Sequence, residues 1–360
     1  MKQRQIRKLT ALLLALALLL ALALLAGCGA APGAAGDGDP ESALRSTRYL
    51  DSMDTVIELT ACGKGREAAL DAAAAEIGRL NALLSIGLEE SEVSRLNREG
   101  SGTLGADAAY LLRRALEIHA ATGGAFDPTV YPLMALWGFP DGNCRVPSQD
   151  EIRETLARVG AERIVFDAQT GAVTLDEGQA LDLGGIAKGY ASQRIMEIFR
   201  ENGVRSGIVN LGGNVQCLGA KPDGTAWRVG VRNPDTEAGG LVAVVAVKDR
   251  AVISSGGYER FFVDEESGLT YEHIMDPGTG MPVRGELAQV TVVTADGTLG
   301  DALSTALYIM GLEAAAEYWR AHSGQFDAVF VLRDGSVWIT AGLEGSASAV
   351  KGGPALQVLR

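Results

Sequence analysis

The chain has 360 residues, with 32 Lys and Arg against 45 Asp and Glu, for a formal net charge of −13. That excess of negative charge argues against nucleic acid as a partner, because neutralising phosphates takes basic patches. Only three histidines (His119, His273, His322) and four cysteines without a Cys-x-x-Cys pair are present. Thiolate zinc and multi-histidine centres are thereby excluded, and any metal here has oxygen ligands.

Lys2, Arg4, Arg7 and Lys8 precede an apolar run from Leu9 through Leu25, followed by Ala26-Gly27-Cys28. A basic start, an apolar core and small residues before a cleavage point make a secretory signal. The run approaches a membrane span in length, so an uncleaved anchor is the alternative. Leu-Ala-Gly-Cys resembles a bacterial lipobox, which implies cleavage before Cys28 and lipid on its thiol. The expected division is a signal peptide over 1–27, a lipidated Cys28 and flexible tether over 28–46, one domain over 47–350 and a tail over 351–360. Ala, Gly, Pro and Asp dominate the tether and cannot bury a core. The expected location is extracytoplasmic, lipid-anchored to the cell membrane. Cys62, Cys144 and Cys217 are isolated, and one disulfide among them is compatible with export, its pairing left open.

Tyr49 to Ala61 reads as a strand containing Met53-Asp54-Thr55. Gly65 to Leu83 is an Ala-rich helix, with Leu70, Ile77, Leu80 and Leu84 at helical spacing. Ser91 to Asn97 forms a short capped turn, and Ala106 to Thr122 a second amphipathic helix stopped by Gly123-Gly124. Phe126-Asp127-Pro128-Thr129-Val130-Tyr131-Pro132-Leu133 is too rich in proline for a regular element. Ser148 to Val159 is a third helix, capped by Ser148. Arg163 to Asp167 and Ala172 to Asp176 read as a hairpin. Ala180 to Leu183 is a short strand that breaks on Gly184-Gly185, where a helix begins and runs to about Asn202.

Strands follow over 207–211, 215–218, 227–232, 241–247 and 251–254. A pair is expected over 261–264 and 271–274, then a strand over 288–294. Helices over 299–310 and 312–321 and strands over 328–332 and 337–340 complete the reading. Strands in runs with helices between them favour an α+β fold, with mixed sheets and two intimately joined lobes.

Three constellations carry chemistry. In Asp182-Leu183-Gly184-Gly185-Ile186-Ala187-Lys188-Gly189-Tyr190, paired glycines let a ligand approach the backbone at a helix N-terminus, which favours negative charge. Lys188 is out of place there for helix stability, and an anion that it helps to hold explains it. In Gly300-Asp301-Ala302-Leu303-Ser304-Thr305, Asp301 and Thr305 share one helix face. One carboxylate and one hydroxyl suit Mg²⁺, although the pair taken alone reads first as a first-turn capping carboxylate and an ordinary helical threonine. His273, before Ile274-Met275-Asp276-Pro277, has the proton affinity to deprotonate a hydroxyl.

These strings resemble the ApbE family of flavin transferases, exported FAD-binding lipoproteins. The resemblance runs from Met53 to the last expected strands. It also takes in Ser91-Glu92-Val93-Ser94-Arg95-Leu96-Asn97, Phe126-Asp127-Pro128-Thr129-Val130, Asn210-Leu211-Gly212-Gly213-Asn214 and Tyr258-Glu259-Arg260-Phe261-Phe262. It implies attack on the flavin-side phosphorus of Mg²⁺-bound FAD by a Ser or Thr hydroxyl of a partner protein. FMN becomes attached through a phosphoester, and AMP leaves. By the same resemblance Asp301, Thr305 and the Gly185 carbonyl hold Mg²⁺, and His273 is the base. Met53, Ala125, Phe126, Asp127, Asp182, Lys188 and Ile274 contact FAD. The acceptor is expected to be a membrane-associated or exported redox protein.

The chain departs from the family pattern at Asp54, where Gly is usual, and at Gln193, where Asp is frequent. Gly185 stands where Ala or Thr is frequent, and Gly87 where some relatives carry a larger side chain near the flavin. An open site there admits water. An FAD pyrophosphatase giving FMN and AMP, or a non-catalytic FAD-binding lipoprotein, is therefore the alternative to transfer.

Overall fold

The computed structural model describes residues 44–360. The expected signal segment, Cys28 and nearly all of the tether lie outside the described residues. β1 (Arg45–Ser52) and β2 (Thr55–Cys62) replace the single strand expected over Tyr49–Ala61, and β1 begins inside the expected tether. They pair antiparallel with Ser52 opposite Thr55, so Met53 and Asp54 alone make the turn. Their φ values are 51° and 59°, as a type I′ hairpin turn requires. Neither residue is glycine, and that is why the sequence concealed the turn. An L-residue with positive φ is strained, whereas glycine is not. Asp54→Gly is expected to stabilise the fold by about 0.5–1 kcal/mol, read as a higher urea midpoint at unchanged slope.

β2 continues into a nine-stranded sheet with β6 (Ser206–Leu211), β7 (Asn214–Leu218), β10 (Ala251–Gly256), β13 (Leu287–Thr294), β14 (Phe326–Leu332), β15 (Val337–Thr340) and β17 (Leu356–Leu359). The spatial order is β1-β2-β6-β7-β10-β13-β14-β15-β17, antiparallel except for β15 against β17. Residues 351–360, expected as a tail, thus supply an edge strand. Four residues are too few to show an alternating pattern, and their partner is set by a crossover. Central β13 is covered on both faces, which explains why seven of its eight residues are buried, Gln289, Thr291 and Thr294 among them.

One face of the sheet carries α1 (Arg66–Leu84), α6 (Gly184–Glu201), α7 (Gly297–Met310) and α8 (Leu312–His322). Leu70, Ile77, Leu80, Ile186, Ile195, Phe199, Leu303 and Leu307 pack there on Leu59, Val209, Val290 and Phe330. The opposite face is covered by a small sheet, ordered β16 (Ala347–Ala349), β9 (Leu241–Val247), β8 (Trp227–Arg232). Val229, Val231 and Val245 meet Cys217, Val252 and Val331 across that layer. The fold is α+β with mixed sheets and flanking helices, as expected. Its joined lobes are two apolar layers on opposite faces of one sheet, within one compact unit.

Smaller elements fill the rim of the helical side. Ser91 Oγ accepts from Ser94 N–H at 3.0 Å and opens α2 (Glu92–Glu99), a helix where only a turn was expected. α3 (Ala106–Ala121) follows. α4 (Tyr131–Leu136) forms despite its proline, because Pro132 sits in the first turn, where its missing N–H is not needed. Ser148 and Glu151 cap α5 (Gln149–Leu156) reciprocally. β4 (Val165–Phe166) and β5 (Ala172–Thr174) make the expected hairpin, joined by β3 (Ser101–Thr103). β11 (Phe261–Val263) and β12 (Thr270–Glu272) pair as expected.

Ala180–Leu183 is not the expected strand. Asn97 brackets Leu181, donating from Nδ2 to its carbonyl at 2.8 Å and accepting its N–H on Oδ1 at 2.7 Å. Asp182 N–H goes to the Pro128 carbonyl at 2.8 Å. Side-chain and loop partners take the groups that a neighbouring strand would have paired. Cys62, Cys144 and Cys217 are free thiols, so none of the three pairs with another. Among the described residues no helix is long and apolar enough to cross a membrane.

Candidate active site

The β1–β2 turn, the α3–α4 loop, the start of α6, the end of β10, the segment after β12 and one face of α7 converge on one cleft of about 430 Å³. Met53, Ala125, Phe126, Asp127, Asp182, Gly185, Lys188, His273, Ile274, Asp301 and Thr305 all line it. Residues as far apart in the chain as Met53 and Thr305 are brought together by the sheet order. Gly87 is not among the lining residues, although its neighbours Ser85 and Ile86 are.

The centre of the site is the crossing of α6 and α7. A Cβ at Gly189 would fall 2.2 Å from the Gly297 carbonyl oxygen and 2.6 Å from Asp301 Cβ, so only glycine permits this approach. Asp301 thereby presses on the α6 backbone, and Gly189 N–H donates to its Oδ2 at 2.7 Å. Asp301 does not cap α7. Asp296 does, accepting from Leu299 N–H at 2.9 Å, and the helix starts two residues earlier than expected. Freed from capping, Asp301 is a buried carboxylate in the wall of a cleft. Burial pushes its proton affinity up to about 6, against the opposing charge of Lys188 and the Gly189 N–H. One turn on, Thr305 Oγ1 lies 3.2 Å from Ser255 Oγ, which also meets Ser304 Oγ at 2.8 Å.

α6 has no acidic residue in its first turn and no side-chain cap. Lys188 stands just inside it, and its charge acts on Asp182, His273 and Asp301 together. Asp182 Oδ1 accepts from Gly184 N–H at 2.7 Å. Burial raises its proton affinity and the Asp54 charge adds to that, while the Gly184 N–H, Lys188 and Arg260 oppose it. The Phe126 ring covers Gly185, its Cε2 3.1 Å from where a Cβ would stand.

His273 follows β12. Its Nδ1 lies 3.1 Å from the Arg260 carbonyl, which can only accept, so Nδ1 carries the proton and Nε2 keeps a lone pair. Burial, then the charges of Arg260 and Lys188, push the imidazole down to about 4. At neutral pH it is an uncharged base. Asp127 is engaged differently. Its Oδ1 accepts from Thr129 N–H at 2.7 Å and Thr129 Oγ1 at 2.6 Å, and its Oδ2 from Ala161 N–H at 3.1 Å. The carboxylate ties the α3–α4 loop to the turn before β4 and fixes the cleft wall formed by Ala125 and Phe126. Arg260, Ser255 and Asn214 carry no role in the sequence reading, although Arg260 and Asn214 each lie within a quoted string.

The oxygen donors fit a hard divalent cation: a carboxylate and a hydroxyl on α7 and a peptide carbonyl on α6, with the orphaned amide of Asn214 behind the carboxylate. With Lys188 at a helix start and a neutral imidazole opposite, the arrangement defines an enzyme site for an anionic, phosphate-bearing substrate. The ApbE family profile matches residues 53–330. The FAD:protein FMN transferase of Treponema pallidum is 34% identical over 72% of this chain and 76% of its own length. That of Klebsiella pneumoniae is 32% identical over 74% and 82%. The crystal structure of the ApbE protein of Thermotoga maritima, 31% identical, superposes with a TM-score of 0.78 over 84% of this chain and 99% of its own. This chain belongs to the ApbE family.

Proposed function

We propose that the protein transfers FMN from FAD to a Ser or Thr hydroxyl of a partner protein. The observation that carries this reading is the convergence on one cleft of a neutral His273 with a free Nε2, the Asp301–Thr305 pair and Lys188. In the reaction the acceptor oxygen attacks the flavin-side phosphorus of FAD. The anhydride bond to the other phosphorus breaks, and AMP leaves with the bridging oxygen. His273 Nε2 takes the hydroxyl proton, held for the purpose by the Arg260 carbonyl on Nδ1. Lys188 supplies positive charge beside the phosphates from the start of α6. Asp301, Thr305 and the Gly185 carbonyl would hold Mg²⁺, which when bound stabilises charge on the transferring and leaving phosphates. Met53, Ala125, Phe126 and Ile274 offer apolar surface for the flavin.

The acceptor is proposed to be a membrane-associated or exported redox protein, and the transferase to be held at the extracytoplasmic membrane face by lipid on Cys28. The basic start, the Leu9–Leu25 run and the Leu-Ala-Gly-Cys string support this. The mass of the native N-terminal peptide tests it.

The test of function incubates the full chain in detergent with FAD, Mg²⁺ and a candidate acceptor, and follows the intact mass of the acceptor. One FMN gained per acceptor, with AMP in equal amount, is the expected result. FMN and AMP without acceptor labelling would convert the reading to a pyrophosphatase. Bound FAD with no AMP would leave a carrier.

A further inference from the structure

Asn214 opens β7 and is only 2% exposed, yet neither its Oδ1 nor its Nδ2 has a hydrogen-bond partner. Two residues on, and therefore on the same face of the strand, Gln216 is also buried. Its Oε1 accepts from Ser192 Oγ at 2.8 Å. That face of β7 meets the α6–α7 crossing, and it satisfies one buried amide while leaving the other bare. A bare buried polar group is costly, so its persistence calls for a partner that binds later.

The neighbour of Asn214 is the Asp301 carboxylate, near enough for the amide to favour its charged form but not set in hydrogen-bond geometry. Asn214 does not itself line the cleft; it lies behind the carboxylate that does. We infer that Asn214 is the positioning residue of the cation site. Its Nδ2–H orients the Asp301 carboxylate toward a bound divalent cation, and its Oδ1 accepts from a water that accompanies the cation. Mg²⁺ keeps several of its waters when bound, which supplies the donor that the fold lacks. Outer partners of this kind set ligand orientation, and their loss weakens metal affinity about 10–100-fold. The inference rests on the Mg²⁺ reading above.

The test is the thermal unfolding of the FAD-free full chain in detergent at pH 8, titrated with Mg²⁺ after chelation, for wild type, Asn214→Leu and Asn214→Ala. A purely structural asparagine predicts a lower metal-free Tm in Asn214→Leu and an unchanged Mg²⁺ midpoint. The positioning role predicts a metal-free Tm no higher than that of wild type, because the charged Asp301 loses the amide that favours it, so the Mg²⁺ midpoint separates the two readings. It also predicts a Mg²⁺ midpoint raised about 10–100-fold. Asn214→Ala decides by the same midpoint if leucine disturbs packing. A wild-type response kept in full by both variants overturns the Asn214 assignment alone. A wild type without any Mg²⁺ response overturns the metal reading and this inference with it.

Discussion

Asp301→Asn is expected to abolish transfer while making the metal-free protein more stable. Loss of turnover follows from losing the one carboxylate of the proposed cation site. Several kcal/mol of transition-state stabilisation go with it, about 10³-fold or more in kcat/KM. The stability effect has the opposite sign. Burial raises the carboxyl from 3.8 to about 6, so the folded protein holds this proton more tightly than the unfolded chain does. The resulting stability is full below pH 4 and is lost as pH rises through 6. At pH 8 the charged, metal-free carboxylate costs on the order of 3 kcal/mol, at 1.36 kcal/mol for each pH unit. The amide keeps an acceptor for Gly189 N–H and carries no charge. Unfolding midpoints in chelator at pH 8 and pH 4 read the effect, which should shrink toward zero at the lower pH. Mg²⁺ should raise the Tm of wild type and not of the variant. A variant less stable at pH 8, or one still turning over with Mg²⁺, would contradict the assignment.

His273→Ala should fail differently. FAD binding is expected to change less than about threefold, since the imidazole is uncharged at neutral pH. The rate of transfer should fall about 10²–10⁴-fold, the range for loss of a general base. In wild type the base must be unprotonated, so at saturating Mg²⁺, which keeps Asp301 ionised, kcat/KM should be flat above pH 5 and fall as pH drops through about 4. Stability carries the same group in a different window. Because its folded value is depressed from 6.5, the contribution is present above pH 6.5 and is lost as pH falls through 4. The alanine variant should therefore resist acid better than wild type. Equal AMP release by variant and wild type in a single-turnover experiment would remove His273 from the mechanism.

The parts of the site legible in the sequence are those where one local string holds both the residue and its reason. Lys188 beside paired glycines at a helix start is such a case, and Asp301 with Thr305 one turn apart is another. Roles fixed by distant pairing could not be read this way. Asn214 reaches Asp301 only because β7 lies beside β10 in the sheet and beneath the α6–α7 crossing. Arg260 matters through its backbone carbonyl, which has no residue signature at all. Asp127, expected to contact FAD, lines the cleft, but its carboxylate is committed to Thr129 and Ala161, and Ala161 lies 34 positions away. The β1–β2 turn escaped detection because two non-glycine residues adopt the conformation that glycine normally announces.

The two rims of the nine-stranded sheet are guarded unequally. β1 carries Arg45, Arg48 and Asp51 along its length, and such charges discourage a second molecule from adding a strand. On the far rim, Val-Trp-Ile-Thr of β15 has no charge, and only the four residues of β17 cover it. Proteolytic nicking ahead of β17 would leave the catalytic cleft untouched and bare an uncharged, apolar edge. Molecules damaged in this way would keep their chemistry and acquire a template for self-association, so their clearance would depend on aggregation rather than on lost activity.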